Sequence, residues 1–331
     1  MSLTSLLVLP PLSANNLTVT GVSSGAYFAN QFQIAFSNDV IGGGYFAGGP
    51  YYCAMNNLIT ATNYCMDSKF SVPVKTLVQW TKNASSLKYI DNYKNLKNSK
   101  IWIFSGVLDS VVDPQLGIDN LNFYYEIGTD QQNVKTVFDV EAEHSWVVFN
   151  NTKVGGECEA INEPYYLNNC ARYEVLDMVE WLYGKPQDYG VIGQVRYQEQ
   201  DDQGQLYEFD QTEFCPNQNC QKISMANTGY IYIPNSCKDT QCKLMITFHG
   251  CKMGNFYIGD VFAENSGLNY IANYYKMIIV YPQAIPSNIN PSNPNGCWDW
   301  WGYTNSLYAV KSGPQLKVVR AMAERLMSPS F

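Results

Sequence analysis

The sequence has few charged side chains and no cluster of basic ones. Charged residues make up 15% of its 331 positions, where about 25% is usual for soluble domains, and the formal net charge is -8. Nucleic-acid-binding proteins need clustered Lys and Arg side chains to neutralise phosphates. The composition therefore predicts no nucleic-acid partner and no attraction to an anionic membrane surface.

Long apolar runs are also missing, because no stretch of about 18 apolar residues occurs anywhere in the chain. No segment is therefore predicted to span a membrane. The N-terminal stretch MSLTSLLVLPPLSA is apolar, but it lacks the basic residues with which a signal peptide begins. We expect a secreted protein whose signal peptide is absent from this chain.

Cysteine, in contrast, is plentiful. Ten cysteines without metal-finger spacing favour disulfides and an oxidising compartment. Taking near neighbours together predicts the pairs Cys53–Cys65, Cys158–Cys170, Cys215–Cys220, Cys237–Cys242 and, as the remaining two, Cys251–Cys297. A zinc site with four thiolates at Cys215, Cys220, Cys237 and Cys242 is the alternative, and the connectivity of these four stays open. Otherwise we expect no metal.

Three Asn-x-Ser/Thr triplets, at Asn16, Asn83 and Asn150, are compatible with secretion and predict glycosylation.

The distribution of apolar residues along the chain predicts the main strands and helices. Short apolar runs predict strands within 40–50, where glycines close the strand, and at 100–106 and 134–140, each separated by enough residues for a helical crossover, which is typical of parallel strands. Further strands are predicted at 228–234, 243–250 and 276–282, with helices at 171–184 and 313–326.

The stretch TVTGVSSGAYFANQF, residues 18–32, predicts a strand, a tight turn and a helix. Ser23 is the central serine of the G-x-S-x-G pattern, whose glycines Gly21 and Gly25 relieve crowding in a strained turn. This is the pattern of a nucleophile elbow. Ser24 is the competing nucleophile, but it is not central in the pattern.

A serine nucleophile needs a histidine base and a carboxylate that orients the imidazole. Asp109 follows the strand at 100–106, and His144 follows the strand at 134–140, in the order expected for hydrolases with this elbow. The chain has only two histidines, which favours His144 as the base. Asp113 is the competing acid, but it lies further from the end of its strand.

The backbone amides that stabilise the oxyanion are expected at Ser24 and in the segment TFHGCKMG, residues 247–254, at Cys251. In most hydrolases of this kind that loop precedes the serine, whereas here it follows by more than two hundred residues. A circular permutation explains this order. Joining residue 331 to residue 1 would place the C-terminal helix directly before the nucleophile strand.

The segments GVSSGAY, AGGPYYCA, GVLDSVV, EHSW, TFHGCKMG, NPNGCWDWWGYT and KSGPQLKVVRAMAERL span nearly the whole chain. Together they resemble the secreted poly(3-hydroxybutyrate) depolymerases with a type II catalytic domain, in which the oxyanion segment follows the triad. The resemblance implies a circularly permuted α/β-hydrolase with a mostly parallel sheet and helices on both faces. It also implies Ser23 as nucleophile, Asp109 as acid, His144 as base, the amides of Ser24 and Cys251 as oxyanion donors, and no cofactor.

We therefore expect a single catalytic domain over residues 1–331, without a separate substrate-binding domain, that acts as a monomer on a polyester polymer or oligomer. Candidate substrate-binding side chains are Trp300, Trp301, Tyr27 and His249. One alternative is an esterase for feruloyl or acetyl groups of plant polysaccharides on the same scaffold. Another is a binding protein on an inactive hydrolase scaffold.

Overall fold

The computed structural model describes residues 16–186 and 204–328. The N-terminal apolar stretch lies outside the described residues, as does the beginning of the polar, Gln-rich stretch at 198–211. That stretch resembles a linker in composition, yet its described part forms a strand at the edge of the main sheet. Only one residue of this strand, Phe209, is buried, which explains why the strand can be so polar.

Eleven strands are found among the described residues, in two sheets. The large sheet has eight strands: β1 (Leu17–Val22), β2 (Val40–Phe46), β3 (Lys100–Phe104), β4 (Val134–Val137), β8 (Gly204–Asp210), β9 (Thr228–Pro234), β10 (Lys243–Phe248) and β11 (Met277–Tyr281). The small sheet, which the sequence analysis did not predict, is formed by β5 (Trp146–Val148), β6 (Gly156–Glu157) and β7 (Leu167–Asn169).

The described residues form nine α-helices: α1 (Ser24–Ala35), α2 (Leu58–Cys65), α3 (Val74–Ser86), α4 (Gln115–Ile127), α5 (Glu174–Tyr183), α6 (Asn255–Ile258), α7 (Val261–Asn265), α8 (Leu268–Tyr275) and α9 (Pro314–Met327). Short 3₁₀ helices occur at Tyr93–Asn98, Gln131–Asn133, Thr212–Phe214, Pro216–Gln218, Cys220–Ile223 and Asn235–Cys237. Helices α1, α2, α3, α4 and α9 contribute to the core on one face of the large sheet, and α5, α7 and α8 to the core on the other.

The strand order in the large sheet is β4-β3-β2-β1-β10-β11-β9-β8. The strands from β4 to β11 in this order run parallel, and only the β11–β9 and β9–β8 pairs are antiparallel. This is the mostly parallel sheet with helices on both faces that the sequence predicts. The late strand β10 lies directly beside the first strand β1, as the permuted order requires.

Backbone contact between β1, α1 and β10 is unusually close. A Cβ atom added to Gly25 would lie 2.3 Å from the carbonyl oxygen of Phe248 and 2.5 Å from that of His249. A Cβ at Gly21 would lie 2.4 Å from the carbonyl oxygen of Gly25. The two glycines therefore allow the first helix to pass directly over the end of β10.

Five disulfides join Cys53–Cys65, Cys158–Cys170, Cys215–Cys220, Cys237–Cys242 and Cys251–Cys297, the same pairs that the sequence spacing indicates. Because the four sulfurs at 215, 220, 237 and 242 are bonded in pairs, they do not form the alternative zinc site. In the described ranges, every helix is too short or too polar to cross a bilayer.

We predict that Gly25→Ala destabilises the fold by more than about 3 kcal/mol, because the added methyl group meets backbone oxygens that cannot move aside. Gly259→Ala is the control. Gly259 has φ +62° and ψ -134° but nothing within 4 Å of its added Cβ, so that variant should cost only backbone strain, about 1 to 3 kcal/mol, and less than Gly25→Ala. Urea unfolding of both variants measures the difference, and equal costs would contradict the close approach.

Candidate active site

Ser23 occupies the tight turn between β1 and α1. Its backbone has φ 57° and ψ -125°, a strained conformation for a residue with a side chain. Its amide nitrogen donates to the carbonyl oxygen of Phe46, 2.9 Å away on the neighbouring strand β2, which holds the turn in place. The side chain of Ser23 lines a cavity at this end of the sheet. Ser24 begins the helix, so its backbone amide belongs to the first turn and has no i−4 partner in the helix.

Asp109 and His144 form a buried pair. His144 Nδ1 lies 2.9 Å from Oδ2 and 3.0 Å from Oδ1 of Asp109. The backbone amides of Val111 and Val112 donate to Asp109 Oδ1 at 3.0 and 2.8 Å. An ionised carboxylate can only accept, so we assign the proton on the imidazole to Nδ1. Nε2 of His144 is then the nitrogen available to a reacting group, and His144 lines the same cavity as Ser23.

Asp113, the competing acid, has a different environment. Its Oδ1 accepts from the backbone amide of Gln115 at 2.8 Å, at the beginning of α4, and its own amide donates to the carbonyl oxygen of Met66. No hydrogen bond links it to His144 among the described residues. The side chain of Asp113 therefore forms a local turn before α4, as aspartate side chains often do.

Glu143 was missed by the sequence analysis. Its Oε2 accepts from the backbone amide of His144 at 2.7 Å and from that of Ser110 at 3.1 Å. It thus joins the loop that carries Asp109 to the loop that carries His144. Partial burial raises the pKa of Glu143, but the hydrogen bonds from His144 and Ser110 outweigh this and lower it below its ordinary value.

The segment after β10 lies directly against the serine turn. A Cβ added to Gly250 would lie 3.4 Å from Cβ of Ser23. The next residue, Cys251, lines the cavity, and its amide N–H has no acceptor among the described residues. The disulfide to Cys297 ties this loop to the segment that carries Trp298. A free amide in this position is what an oxyanion donor requires.

The prediction that the side chain of His249 binds substrate is wrong. Its side chain is fully buried and does not line the cavity. Nδ1 lies 2.7 Å from the carbonyl oxygen of Gly250, and Nε2 accepts from the amide of Ala284 at 3.1 Å. Burial lowers the pKa of His249 to about 4, so the ring is neutral near pH 7 and supports the loop from behind.

The cavity has a volume of about 730 Å³ and a mostly apolar lining. Trp300, Trp301 and Tyr27 all contribute to its wall. Tyr27 is buried and stacks on Trp300 with ring centroids 4.4 Å apart, and its hydroxyl donates to the carbonyl oxygen of Cys65. Trp300 in turn packs edge-on against Trp301 at 5.6 Å. Tyr27 is therefore a buried support for the ring of Trp300, whereas Trp301 is partly exposed where it lines the cavity.

Asp299 holds the two tryptophans in place, which the sequence analysis also missed. Its Oδ1 accepts from the backbone amides of Gly302 at 2.8 Å and Tyr303 at 3.0 Å, and its Oδ2 accepts from that of Thr304 at 3.0 Å. Burial raises the pKa of Asp299 to about 6, although these hydrogen bonds oppose the rise. The carboxylate thereby closes the turn that contains Trp300 and Trp301.

Of the three predicted glycosylation sites, Asn83 and Asn150 are exposed and Asn16 is partly buried.

The fold and the site together define the class of α/β serine hydrolases. The features that define it are a serine in a strained strand-to-helix turn, a buried His–Asp pair and a mostly parallel sheet.

Comparison with known proteins identifies the family within this class. The chain is 36% identical over 318 residues to a poly(3-hydroxybutyrate) depolymerase of Delftia acidovorans, covering 94% of this chain and 59% of that protein. It is 30% identical over 331 residues to a polyhydroxybutyrate depolymerase of Talaromyces funiculosus, covering 96% of this chain and 91% of that protein. No family model matches the chain.

Two solved structures are also similar. One is a PHB depolymerase complexed with an R3HB trimer, with a TM-score of 0.85, 29% identity, and coverage of 96% of this chain and 98% of that one. The other is the PHB depolymerase from Penicillium funiculosum, with a TM-score of 0.84, 30% identity, and coverage of 97% and 99%. The chain belongs to the poly(3-hydroxybutyrate) depolymerases, ester hydrolases of the serine type. The resemblance and the fold class are confirmed.

We predict that Ser23→Ala and His144→Ala each remove nearly all hydrolysis of a small nitrophenyl ester. Asp109→Asn should lower kcat on the order of a thousandfold, because the imidazole loses its orientation and the stabilisation of its charged form. Asp113→Asn is the matched control and should change kcat less than about twofold, because an amide oxygen can still accept from the backbone amide of Gln115. A loss at Asp113 as large as that at Asp109 would overturn the assignment of the acid.

The disulfide between Cys251 and Cys297 closes a loop of 46 residues, worth roughly 4 kcal/mol in the chain-entropy picture. We predict that the double variant Cys251→Ser/Cys297→Ser loses about tenfold in kcat at a temperature where it remains folded, because the Cys251 amide is no longer fixed. The double variant Cys237→Ser/Cys242→Ser, at a disulfide outside the cavity lining, is the control. Equal kcat values for the two would show that the bond serves stability alone.

Proposed function

We propose that this chain hydrolyses the ester bonds of poly(3-hydroxybutyrate), or of related short-chain hydroxyalkanoate polyesters and oligomers, through an acyl-serine intermediate. The observation that carries the proposal is that Ser23 and His144, the latter paired with Asp109, open into one mostly apolar cavity of about 730 Å³. The relatives support the substrate, since two similar proteins bear this activity in their names and one similar structure was solved with an R3HB trimer.

In the proposed reaction, Ser23 Oγ attacks the ester carbonyl carbon while its proton passes to Nε2 of His144. Asp109 accepts from Nδ1 and stabilises the imidazolium that forms. The carbonyl oxygen becomes an oxyanion that the amides of Ser24 and Cys251 stabilise. The C–O bond then breaks, and the proton on Nε2 goes to the departing hydroxyl end of the chain.

The second half of the reaction releases the bound acid. Water enters, gives one proton to His144, and its oxygen bonds to the acyl carbon. The ester bond to Ser23 breaks, and the proton returns from His144 to Ser23 Oγ. The product is a hydroxyacid or a shorter oligomer with a new carboxylate, and no cofactor takes part.

The surroundings of the cavity suit a solid polyester. Among the exposed apolar side chains, Leu58 on α2 lines the cavity. Ile59, Leu108 and Ile289, the last 90% exposed, do not line it but lie within three positions of lining residues in the chain. A polyester chain is neutral and weakly polar, so contact with such side chains favours adsorption without matched hydrogen bonds. We propose that the catalytic domain itself binds the polymer surface. We also propose that the protein is a monomer and is active outside the cell.

The comparisons support neither the feruloyl or acetyl esterase nor the inactive binding protein. Release of 3-hydroxybutyrate and its oligomers from polymer films, measured beside release of ferulate and acetate from plant polysaccharides, tests the proposal. We expect the higher kcat/KM on hydroxybutyrate esters. A preference for feruloyl esters would overturn the proposed substrate.

Trp301→Ala should reduce polymer hydrolysis by at least about fivefold while changing turnover of a small nitrophenyl ester less than twofold. The polymer draws on remote binding to position its scissile bond, whereas the small ester does not reach that far. Trp300→Ala should show the same asymmetry with an added loss of stability, because Trp300 is buried against Tyr27.

Trp181→Ala is the control, since Trp181 is a partly buried tryptophan on α5 outside the cavity lining. Its loss should not change the ratio of polymer to small-ester hydrolysis. Equal losses on both substrates for Trp301→Ala would mean that this side chain serves packing only.

A further inference from the structure

Among the described residues, the cavity lining contains one carboxylate and one ammonium group, which form an ion pair. Among the described residues that line it, these are Glu163, in the loop between β6 and β7, and Lys252, which directly follows Cys251. Lys252 Nζ lies 3.3 Å from Oε1 of Glu163. The rest of the lining is apolar or uncharged, so any discrimination by charge within the cavity depends on this pair.

Glu163 is held independently of the lysine. The hydroxyl of Tyr166 donates to the same oxygen, Oε1, and the ring of Tyr166 stands edge-on to the imidazole of His144 with centroids 6.3 Å apart. The hydrogen bonds from Tyr166 and then Lys252 lower the pKa of Glu163, so it is ionised near neutral pH. Tyr166 and Glu163 thus connect the ring of His144 to Lys252 through one ring contact, one hydrogen bond and one ion pair.

The backbone of Lys252 is held in place, whereas its ammonium group is only partly paired. Its amide donates to the carbonyl oxygen of Asn295 at 2.8 Å, and the preceding residue is bonded through the disulfide to Cys297. Its side chain is 43% exposed, and its ammonium has three donors, of which Glu163 takes one. An exposed ion pair of this kind is weak, so the ammonium can turn to another anion at little cost.

The proposed substrate carries charge in only one place. Each repeat of a hydroxyalkanoate polyester is neutral, and the sole charge of a chain at neutral pH is the carboxylate at its acid end. The protein has a net charge of -8, which disfavours the approach of an anion unless a cation is placed locally. Lys252 is that cation, one residue from the proposed oxyanion amide of Cys251.

We propose that Lys252 binds the terminal carboxylate of short hydroxyalkanoate oligomers, and that Glu163 limits the strength of this binding. The inference rests on the proposed function, because it assigns a chain-end subsite to the same cavity. It predicts that the enzyme distinguishes an oligomer with a free acid end from the same oligomer with a blocked end.

The test compares the 3-hydroxybutyrate trimer as free acid with its methyl ester. The measured quantity is the ratio of kcat/KM for the acid to kcat/KM for the ester, which cancels losses of folded protein. Lys252→Met should lower this ratio by about three- to fivefold, the range expected for one exposed charge pair, and Lys252→Arg should restore it. Glu163→Gln, which can still accept from Tyr166, should raise the ratio.

Lys317→Met is the control, because it removes the same charge from an exposed position of α9 outside the cavity lining. It should leave the ratio at the wild-type value, whereas 0.5 M salt should reduce the wild-type ratio toward that of Lys252→Met. A wild-type ratio unchanged by Lys252→Met would overturn the carboxylate subsite. A wild-type enzyme that cleaves neither trimer would instead contradict the proposed function itself.

Discussion

The close approach of α1 to the end of β10 is the constraint on which the site depends. Gly25 passes so near the carbonyl oxygens of Phe248 and His249 that no side chain fits between them. This contact brings together two segments that lie more than two hundred residues apart in the chain, the serine turn and the loop with Gly250 and Cys251. The proposed nucleophile and the proposed oxyanion donor are neighbours because of it.

Around this contact, buried groups hold the loops in position. His249 supports Gly250 from behind as a neutral ring, and the disulfide from Cys251 to Cys297 joins the same loop to the tryptophan segment. Glu143 joins the loops of Asp109 and His144 in a similar way. Such supporting contacts restrict the reacting groups to a narrow range of geometry, which is what catalysis by orientation requires.

Much of this arrangement could be predicted from the sequence. Ser23, Asp109 and His144 each follow a short apolar strand, and parallel strands end at one edge of a sheet, so their proximity follows from the order of elements alone. Cysteine spacing indicated the five disulfides. The strands of the small sheet could not be predicted, because a strand of two or three residues is too short to show a periodic pattern. Strand β8 could not be predicted because it is an edge strand with a largely polar sequence.

Side-chain direction was harder to predict than position. His249 stands at the end of β10, where a binding residue is plausible, yet its ring points into the protein rather than into the cavity. The roles of Glu143 and Asp299 depend on which backbone amides surround their carboxylates, and no local pattern of residue types encodes that. Loop conformation decides these contacts, and loops are where sequence periodicity carries least information.

Trapping the acyl-enzyme tests the role of Ser23 as nucleophile most directly. The protein would be mixed with a nitrophenyl ester of butyrate, quenched in acid within milliseconds, digested, and mapped by mass spectrometry. If Ser23 is the nucleophile, a butyryl group forms on Ser23 as fast as nitrophenol is released and disappears as turnover ends. A butyryl group on Ser24, or rapid ester cleavage with no acylated peptide at any time, would contradict that role.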